Sequence, residues 1–473
     1  MNDKNAPPAL TDPKGMGGVI AQDGFAYQLW DGISRIPHWL ANPAFEEMIF
    51  EGLEDLEARF FAPQAPPHFR VLERFQAKSS DLLPADVKEV LQSFHHFDES
   101  YPRIARVQTL VTPRLPKTLA WLRRDSARVR RARPFFAPFA DVSAATDARL
   151  VADLRKEYGN GLGDFVARAV EIEERVLPDR SAARSAFAIA LQEAFPLLEV
   201  STRRTDAAFE ALVSLADRHV GHPLHRDKLR HAVESGLGER LPLPAAFPLM
   251  IRSDRLETDE TAFQIDASEF SGGLAPFPES KIWGERLVEP LGKVAKWLRG
   301  RGISRVSVLG SYRLSTGMLV GASFRSAVGF ELEIATRSGI WSTDEHTEGA
   351  RDQEWTVTRP TELHEGRLAV TIGVLRDPGV DLLETAGAPA SSVLRMHLPV
   401  AIADGQGAQA AVGFVKKTVA ESVTRLAPRS IDLYLAGPAA FAVALGHRWN
   451  AMPPTQLHEF IAPERRYVQT GSI

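Results

Sequence analysis

The apolar positions of this chain change period several times, and each change marks a change of element. From Gln22 to Trp39 they recur at the three- and four-residue spacing of an amphipathic helix. From Met48 to Phe61, and again from Phe69 to Lys78, the pattern is that of strands, joined by the Pro-rich turn Ala62–Pro67. Pro84 to Phe97 returns to helical spacing, and the β-branched run Ile104–Val111 predicts a strand that rejoins the sheet. This is an α/β core. From Ala144 to about Ser235 nearly every segment reads as helix, for example Arg149–Val176, Ala183–Phe195 and Asp206–Val220, which predicts a helical layer added to that core. Residues 1–15, polar and rich in Pro, predict a disordered leader. Gly236–Pro248, with three Pro and two Gly, predicts a linker.

Beyond the linker the chain carries an internal repeat. Arg305–Ala335 and Ser430–Phe460 align without a gap at an offset of about 125 residues. Val306 and Val308 fall on Ile431 and Leu433; Met318, Val320, Gly321 and Phe324 fall on Val443, Leu445, Gly446 and Trp449; Leu332 falls on Leu457. Each copy reads strand, small-residue turn, helix ending at Gly, strand. That is the βαβ unit, whose ligands sit at the carboxyl ends of the strands, so two Rossmann-like halves would bring two such ends together.

Composition narrows the classes. With 473 residues one core is too few, and two or three domains are expected. No apolar run approaches the ~20 residues of a membrane helix, and the start lacks the pattern of a secretion signal, so a cytoplasmic protein with no membrane partner is expected. The absence of Cys removes disulfides and thiolate zinc sites. The net charge of -4 conceals a local excess, since Arg103 to Arg133 holds ten Lys or Arg and one acid, Asp125. Within it Lys117, Arg123, Arg124, Arg128, Arg130, Arg131 and Arg133 are dense enough to neutralise several phosphates of duplex DNA, although such a run also suits a solvated face. His219, His222, His225 and His231 are spaced for a metal, but Pro223 interrupts them and no thiolate completes a closed site. No GxxxxGK[ST] loop is present, which disfavours an ATP-driven machine.

Phosphodiester hydrolysis needs a divalent ion to activate water and a cation near the attacking hydroxide. Glu51, Asp55 and Gln76-Ala77-Lys78 supply such groups, with Gln76 and Lys78 on one side of a strand. These residues resemble the PD-(D/E)xK nuclease superfamily in its variant with Gln in place of the second acid. The resemblance implies a restriction-endonuclease-like domain binding Mg²⁺, with Asp55 the principal metal ligand, Gln76 a neutral oxygen ligand and Lys78 the residue that stabilises the nucleophile. Glu51 is an additional acid and metal-ligand candidate. The order of Gly24-Phe25-Ala26-Tyr27-Gln28, then Phe50 to Asp55, then Arg74 to Lys78 is similar to the DNA endonuclease domain of SAVED-containing effectors in bacterial CBASS anti-phage systems.

The last half is similar to SAVED domains, two fused CARF-like units that bind cyclic oligonucleotides. The matching residues are Gly310-Ser311-Tyr312-Arg313-Leu314-Ser315, Gly321, Phe324 and Trp341, then Ala436-Gly437-Pro438, Leu445-Gly446 and Tyr467. Both turns lead into a helix N-terminus, where free N–H groups and the helix dipole favour phosphate. Ser311, Ser315, Gly437 and Pro438 would line these turns, with Pro438 as the first helical residue. Arg313 would pair with phosphate, and Trp283 or Trp341 would stack on a base.

The expected organisation is therefore a leader at 1–15, an endonuclease domain with helical extension at 16–235, a linker at 236–248 and a SAVED domain at 249–473. The expected function is degradation of double-stranded DNA on binding a cyclic oligonucleotide, switched on by ligand-induced homo-oligomerisation. Two alternatives stay open: an inactive ligand-binding scaffold, motivated by Gln76, and a modification-dependent restriction nuclease.

Overall fold

The structure is a computed structural model. It describes residues 13–52, 55–142, 146–253, 262–272, 276–345, 353–385, 389–462 and 464–473, with 13–23, 124–126 and 385 described by backbone alone. Most of the expected leader lies outside the described residues, and Pro13 already begins a helix. The chain divides into two units, Met1–Leu243 and Pro244–Ile473.

The first unit runs α1 (Pro13–Ala41), β1 (Phe45–Phe50), β2 (Leu56–Phe61), β3 (Arg70–Ala77), α2 (Pro84–Ser100), β4 (Ala105–Thr112), α3 (Trp121–Ser126), α4 (Arg128–Ala132), α5 (Ala148–Tyr158), α6 (Asn160–Ala169), β5 (Val170–Glu174), α7 (Arg180–Ala194), α8 (Thr202–Asp217), β6 (Leu224–His225) and α9 (Arg226–Leu237). Its sheet has the order β5-β4-β3-β2-β1-β6. The β1–β2–β3 meander is antiparallel, and β3, β4 and β5 are parallel. Every residue of β4 is buried, as expected of a parallel strand covered on both faces. On one face Trp39 of α1 stacks on Phe45 and leans on Phe75. On the other, Val90, Leu91 and Phe94 of α2 close over Leu110 and Ile172 together with Phe165 of α6.

The helix expected across Arg149–Val176 is broken. Gly159 takes a positive φ of 85° between α5 and α6, a conformation that favours glycine. After α6 the alternation of Val170 and Ile172 with acids is a two-residue period, and that stretch leaves as strand β5 beside β4. The block from 144 to 235 thus contributes two strands as well as a helical layer.

The second unit holds two sheets. The first is built from β7 (Phe247–Arg252), β8 (Phe263–Asp266), α10 (Ser280–Trp283), α11 (Glu289–Gly300), β9 (Arg305–Ser311), α12 (Leu314–Ser323), β10 (Glu331–Thr336) and β11 (Gly339–Ser342), in the strand order β11-β10-β9-β7-β8. The second is built from β12 (Thr356–Thr358), β13 (Arg367–Val374), α13 (Pro378–Thr385), β14 (Val393–Leu398), α14 (Gly405–Leu426), β15 (Ser430–Ala436), α15 (Ala439–Arg448), β16 (Thr455–Ile461) and β17 (Arg466–Ser472), in the order β12-β14-β13-β15-β16-β17. The repeat is structural: β9, α12 and β10 recur as β15, α15 and β16, with parallel pairing in both copies. Each ends in an antiparallel hairpin to the next strand.

The two copies meet where α12 crosses α15. A Cβ on Gly321 would stand 2.1 Å from the Val443 carbonyl oxygen, and one on Gly446 would stand 2.2 Å from that of Met318. These contacts exchange under the repeat, so the helix pair has a pseudo-twofold axis. Gly317 lies against Ala439 and Gly321 against Val443, which means that the helices run the same way and their N-termini lie side by side. Alanine at Gly321 or Gly446 is expected to cost at least about 1–3 kcal/mol in urea unfolding, because backbone must move. Alanine at Gly413, within α14 and facing open space, should instead stabilise by about 0.5–1 kcal/mol.

Candidate functional sites

In the first unit the β1–β2 hairpin brings Asp55 to the end of β3. Its carboxylate accepts the Ala77 N–H at 2.7 Å, which seats it between Gln76 and Lys78. Glu51 lies on the same turn with φ 50° and donates its N–H to the Asp55 carbonyl at 2.9 Å; its side chain is exposed. The Gln76 amide oxygen is buried and has no hydrogen-bond partner, a costly state for a polar atom unless something else coordinates it. Lys78 is half-buried, tied by its N–H to the Val111 carbonyl at 2.9 Å, and makes no ion pair among the described residues. Asp55 is thus tied to the backbone between Gln76 and Lys78, and Glu51 is exposed on the turn that precedes it.

The strand beneath is held by its own polar layer. Arg74, two residues before Gln76 and on the same face, is buried under the Phe97 ring at 3.5 Å. It donates to the Gln108 amide oxygen at 2.7 Å, and Gln108 in turn donates to the Phe94 carbonyl at 3.1 Å. Among the described residues no three His, Asp or Glu side chains gather at one point. The donor set of one carboxylate and one orphaned amide oxygen suits Mg²⁺, which keeps several waters and takes one or two protein carboxylates. The histidines do not form a zinc site either: His225 pairs with Glu47 at 2.9 Å, and His219 hydrogen-bonds the Leu215 carbonyl.

The basic run corrects the reading of a phosphate-gripping surface. Arg130 is committed to Glu73 at 2.6 Å and Glu171 at 2.7 Å. Arg133 is buried and donates to the Arg106 carbonyl, Arg128 donates to the Ala167 carbonyl, and Arg123 pairs with Glu174. Only Lys117 and Arg131 of the described side chains in this set stand exposed without such a partner; the Arg124 side chain lies outside the described residues. Arg106 joins the same cluster, with its guanidinium on the Glu73 carboxylate and both side chains buried.

In the second unit the paired N-termini of α12 and α15 stand at the carboxyl ends of β9 and β15. Ser311 and Arg313 are exposed, and Gly437 is exposed with φ 153°. Pro438 is the N-cap of α15, one position before the first helical residue. The Arg313 guanidinium donates to the Ser271 carbonyl and lies 5.7 Å from the Phe277 ring. Trp283 and Trp341 depart from the expectation: Trp283 is fully buried against Phe270 with its N–H on the Pro278 carbonyl, and Trp341 is 5% exposed. Both are core residues, so neither presents a free face to a base.

One residue of this end escaped the sequence. Glu459 of β16 is 5% exposed, and its carboxylate accepts the Ser315 N–H at 2.6 Å. The Ser315 hydroxyl accepts from Thr470 at 2.8 Å. Burial pushes the Glu459 carboxyl up, while the Ser315 hydrogen bond and the Arg313 charge act against it. Its counterpart in the first copy is Ile334, fully buried; a carboxylate standing where the repeat elsewhere has isoleucine was the available signal.

Comparison with known proteins agrees with this second unit. Residues 291–473 match the SAVED family, the SMODS-associated and fused to various effectors sensor domain. The chain is similar to CD-NTase-associated protein 4 of Moraxella osloensis, 23% identical over 483 residues covering 98% of this chain and 99% of the relative. It is equally similar to the protein of that name from Acinetobacter sp. (strain ATCC 27244 / 9458), 23% identical over 477 residues with the same coverage. The fold matches the Acinetobacter baumannii Cap4 SAVED/CARF-domain containing receptor with the cyclic trinucleotide 3'3'3'-cAAA, at TM-score 0.76 and 20% identity over 95% of this chain and 98% of that one. It also matches the Moraxella osloensis Cap4 receptor at TM-score 0.72 and 21% identity, over 96% of this chain and 100% of that one. No helix among the described residues is long and apolar enough to cross a membrane.

Two measurements check the electrostatics of the first unit. Burial alone would raise the Glu73 carboxyl, but Arg130 and Arg106 outweigh it and hold it at about 2. Its stabilising effect is complete above the unfolded value of roughly 4.3 and is lost as pH falls toward the folded value, so acid unfolding should fall within that window. Arg106→Ala, which strips a buried partner, should cost about 3–5 kcal/mol in urea unfolding. Arg131→Ala, on the exposed side, should stay within about 0.5 kcal/mol.

Proposed function

We propose, from a chain whose residues 291–473 are a SAVED sensor domain, that it is a CBASS-type antiviral effector. In this reading its second unit binds a cyclic oligonucleotide, and its first unit then cuts double-stranded DNA as a PD-(D/E)xK-type endonuclease. The observation that carries the nuclease half is the buried, partnerless Gln76 oxygen, one residue from the Ala77 N–H that the Asp55 carboxylate accepts and two from Lys78. The ligand class is supported by the Acinetobacter baumannii Cap4 receptors solved with 3'3'3'-cAAA and 2'3'3'-cAAA, and a cyclic trinucleotide is the first candidate.

Asp55 and Gln76 would hold Mg²⁺, which supplies an acidified water and neutralises the scissile phosphate. Asp55 contributes the charged oxygen and is itself aimed by the Ala77 N–H. Gln76 adds an oxygen without a second negative charge, which lessens repulsion of the incoming phosphate. Lys78, free of an ion pair, is placed to stabilise the attacking hydroxide and the charge that develops on the phosphate. Glu51, exposed on the turn before Asp55, would be a further acid toward the metal. Lys117 and Arg131 remain as contacts for the DNA backbone. Activation runs through self-association, since two sites on one duplex cut both strands where one site only nicks.

The test is cleavage of supercoiled plasmid with Mg²⁺ and a panel of cyclic di- and trinucleotides that includes 3'3'3'-cAAA. Asp55→Ala and Lys78→Ala should each reduce ligand-dependent cutting by about 100-fold or more, the scale of losing a positioned catalytic group, while ligand-induced thermal stabilisation persists. Full cutting by both variants removes the site; no cutting by the unaltered chain with any ligand favours an inactive scaffold. Light scattering on the same titration should show particle mass rising with cleavage.

A further inference from the structure

The two halves of the second unit share one architecture, and their helices α12 and α15 run parallel with adjacent N-termini. Each N-terminus carries unpaired N–H groups and the positive end of a helix dipole, so the symmetric expectation is two equivalent anion sites. The structure breaks that equivalence. At α12 the Ser315 N–H is already given to the Glu459 carboxylate, which reaches across from β16 of the other half. The neighbouring Ser315 hydroxyl is bound by Thr470, which is fully buried. At α15 no side chain caps the helix, Gly437 before it is exposed, and the position that would correspond to Glu459 is the apolar Ile334.

We propose that Glu459 is a specificity-determining residue of the ligand site: it serves as a built-in anion that keeps phosphate off the α12 N-terminus and leaves α15 as the end that accepts one. The ligand then sits asymmetrically on a pseudo-symmetric platform. Its phosphates are directed to Ala439 and the turn at Gly437, while the α12 side, closed by a carboxylate, faces the less charged ribose and base groups. The negative charge of Glu459 also selects against polyanions that would cover both helix ends at once, because a second phosphate beside a buried carboxylate is repelled in a poorly screened setting. The argument rests on the ligand reading of this end of the unit, but its core statement concerns any phosphate.

Two variants separate the possibilities. Glu459→Ala empties the α12 N-terminus, and Glu459→Gln keeps the shape and the acceptor oxygen but removes the charge. Thermal shift and isothermal titration are measured on the full chain with inorganic phosphate, and separately with 3'3'3'-cAAA. Glu459→Ala is expected to take a second phosphate, beyond the one that the unaltered chain takes at α15. Glu459→Gln should bind 3'3'3'-cAAA about tenfold more tightly, which corresponds to about 1.4 kcal/mol. If Glu459→Ala fails to fold, the Gln variant decides.

A residue that merely caps α12 would lower the thermal midpoint in both variants and leave both ligand responses as they were, which overturns the proposal. Weaker cAAA binding by Glu459→Gln overturns it too, since it would make the carboxylate a direct acceptor for the ligand. Should the unaltered chain ignore cAAA while Glu459→Ala still gains the second phosphate, the choice of ligand fails and the role of Glu459 stands.

Discussion

The close crossing of α12 and α15 is the constraint on which the second unit depends. Gly321 and Gly446 let each helix backbone approach the carbonyls of the other at a distance no side chain allows. The helices run parallel at that crossing, which sets two positive helix ends beside each other. Side-by-side parallel dipoles repel, and a carboxylate at one positive end offsets part of that repulsion. Glu459 provides one from within the fold, at the α12 end.

The first unit solves a different electrostatic problem. Its sheet buries charge on both faces. On one side Glu73 is shared by Arg106 and Arg130, and Glu173 of β5 is held by Arg35 of α1, so that strands and helices are locked by ion pairs between distant segments. Such pairs stabilise little relative to apolar packing, yet removing one member leaves an uncompensated charge, so the network enforces a single arrangement of β3, β4 and β5. On the other side Arg74 donates to the Gln108 amide oxygen, and the Gln76 amide oxygen on the same face is buried with no hydrogen-bond partner.

The fate of the basic run follows from the same network. Seven Lys and Arg in a short stretch suggest a surface for nucleic acid, but guanidinium groups are also the cations that pair best with buried carboxylates. Arg130 meets two acids contributed by β3 and β5, one of which lies in a stretch whose helical spacing concealed a strand. Charge density along a chain does not reveal on which side of the fold the acids will stand.

By itself the sequence determined the elements whose periodicity is strong and local. The α1 helix, the strand character of Met48–Phe61 and Phe69–Lys78, and α2 follow from hydrophobic spacing, and the repeat that became β9-α12-β10 and β15-α15-β16 follows from self-similarity, since like sequences bury like faces. The strand pattern carries on from Phe50 to Asp55, but the structure ends β1 at Phe50 and turns, so that Asp55 meets the Ala77 N–H. Tertiary structure alone decided what depends on partners far along the chain. It placed Trp283 and Trp341 in the core and turned Val170–Glu174 into a strand, because its edge pairs with β4. It also carried Glu459 to a helix that begins 145 residues earlier in the chain, at Leu314. Burial and ion pairing are sums over neighbours in space, and a sequence read in windows does not contain those neighbours.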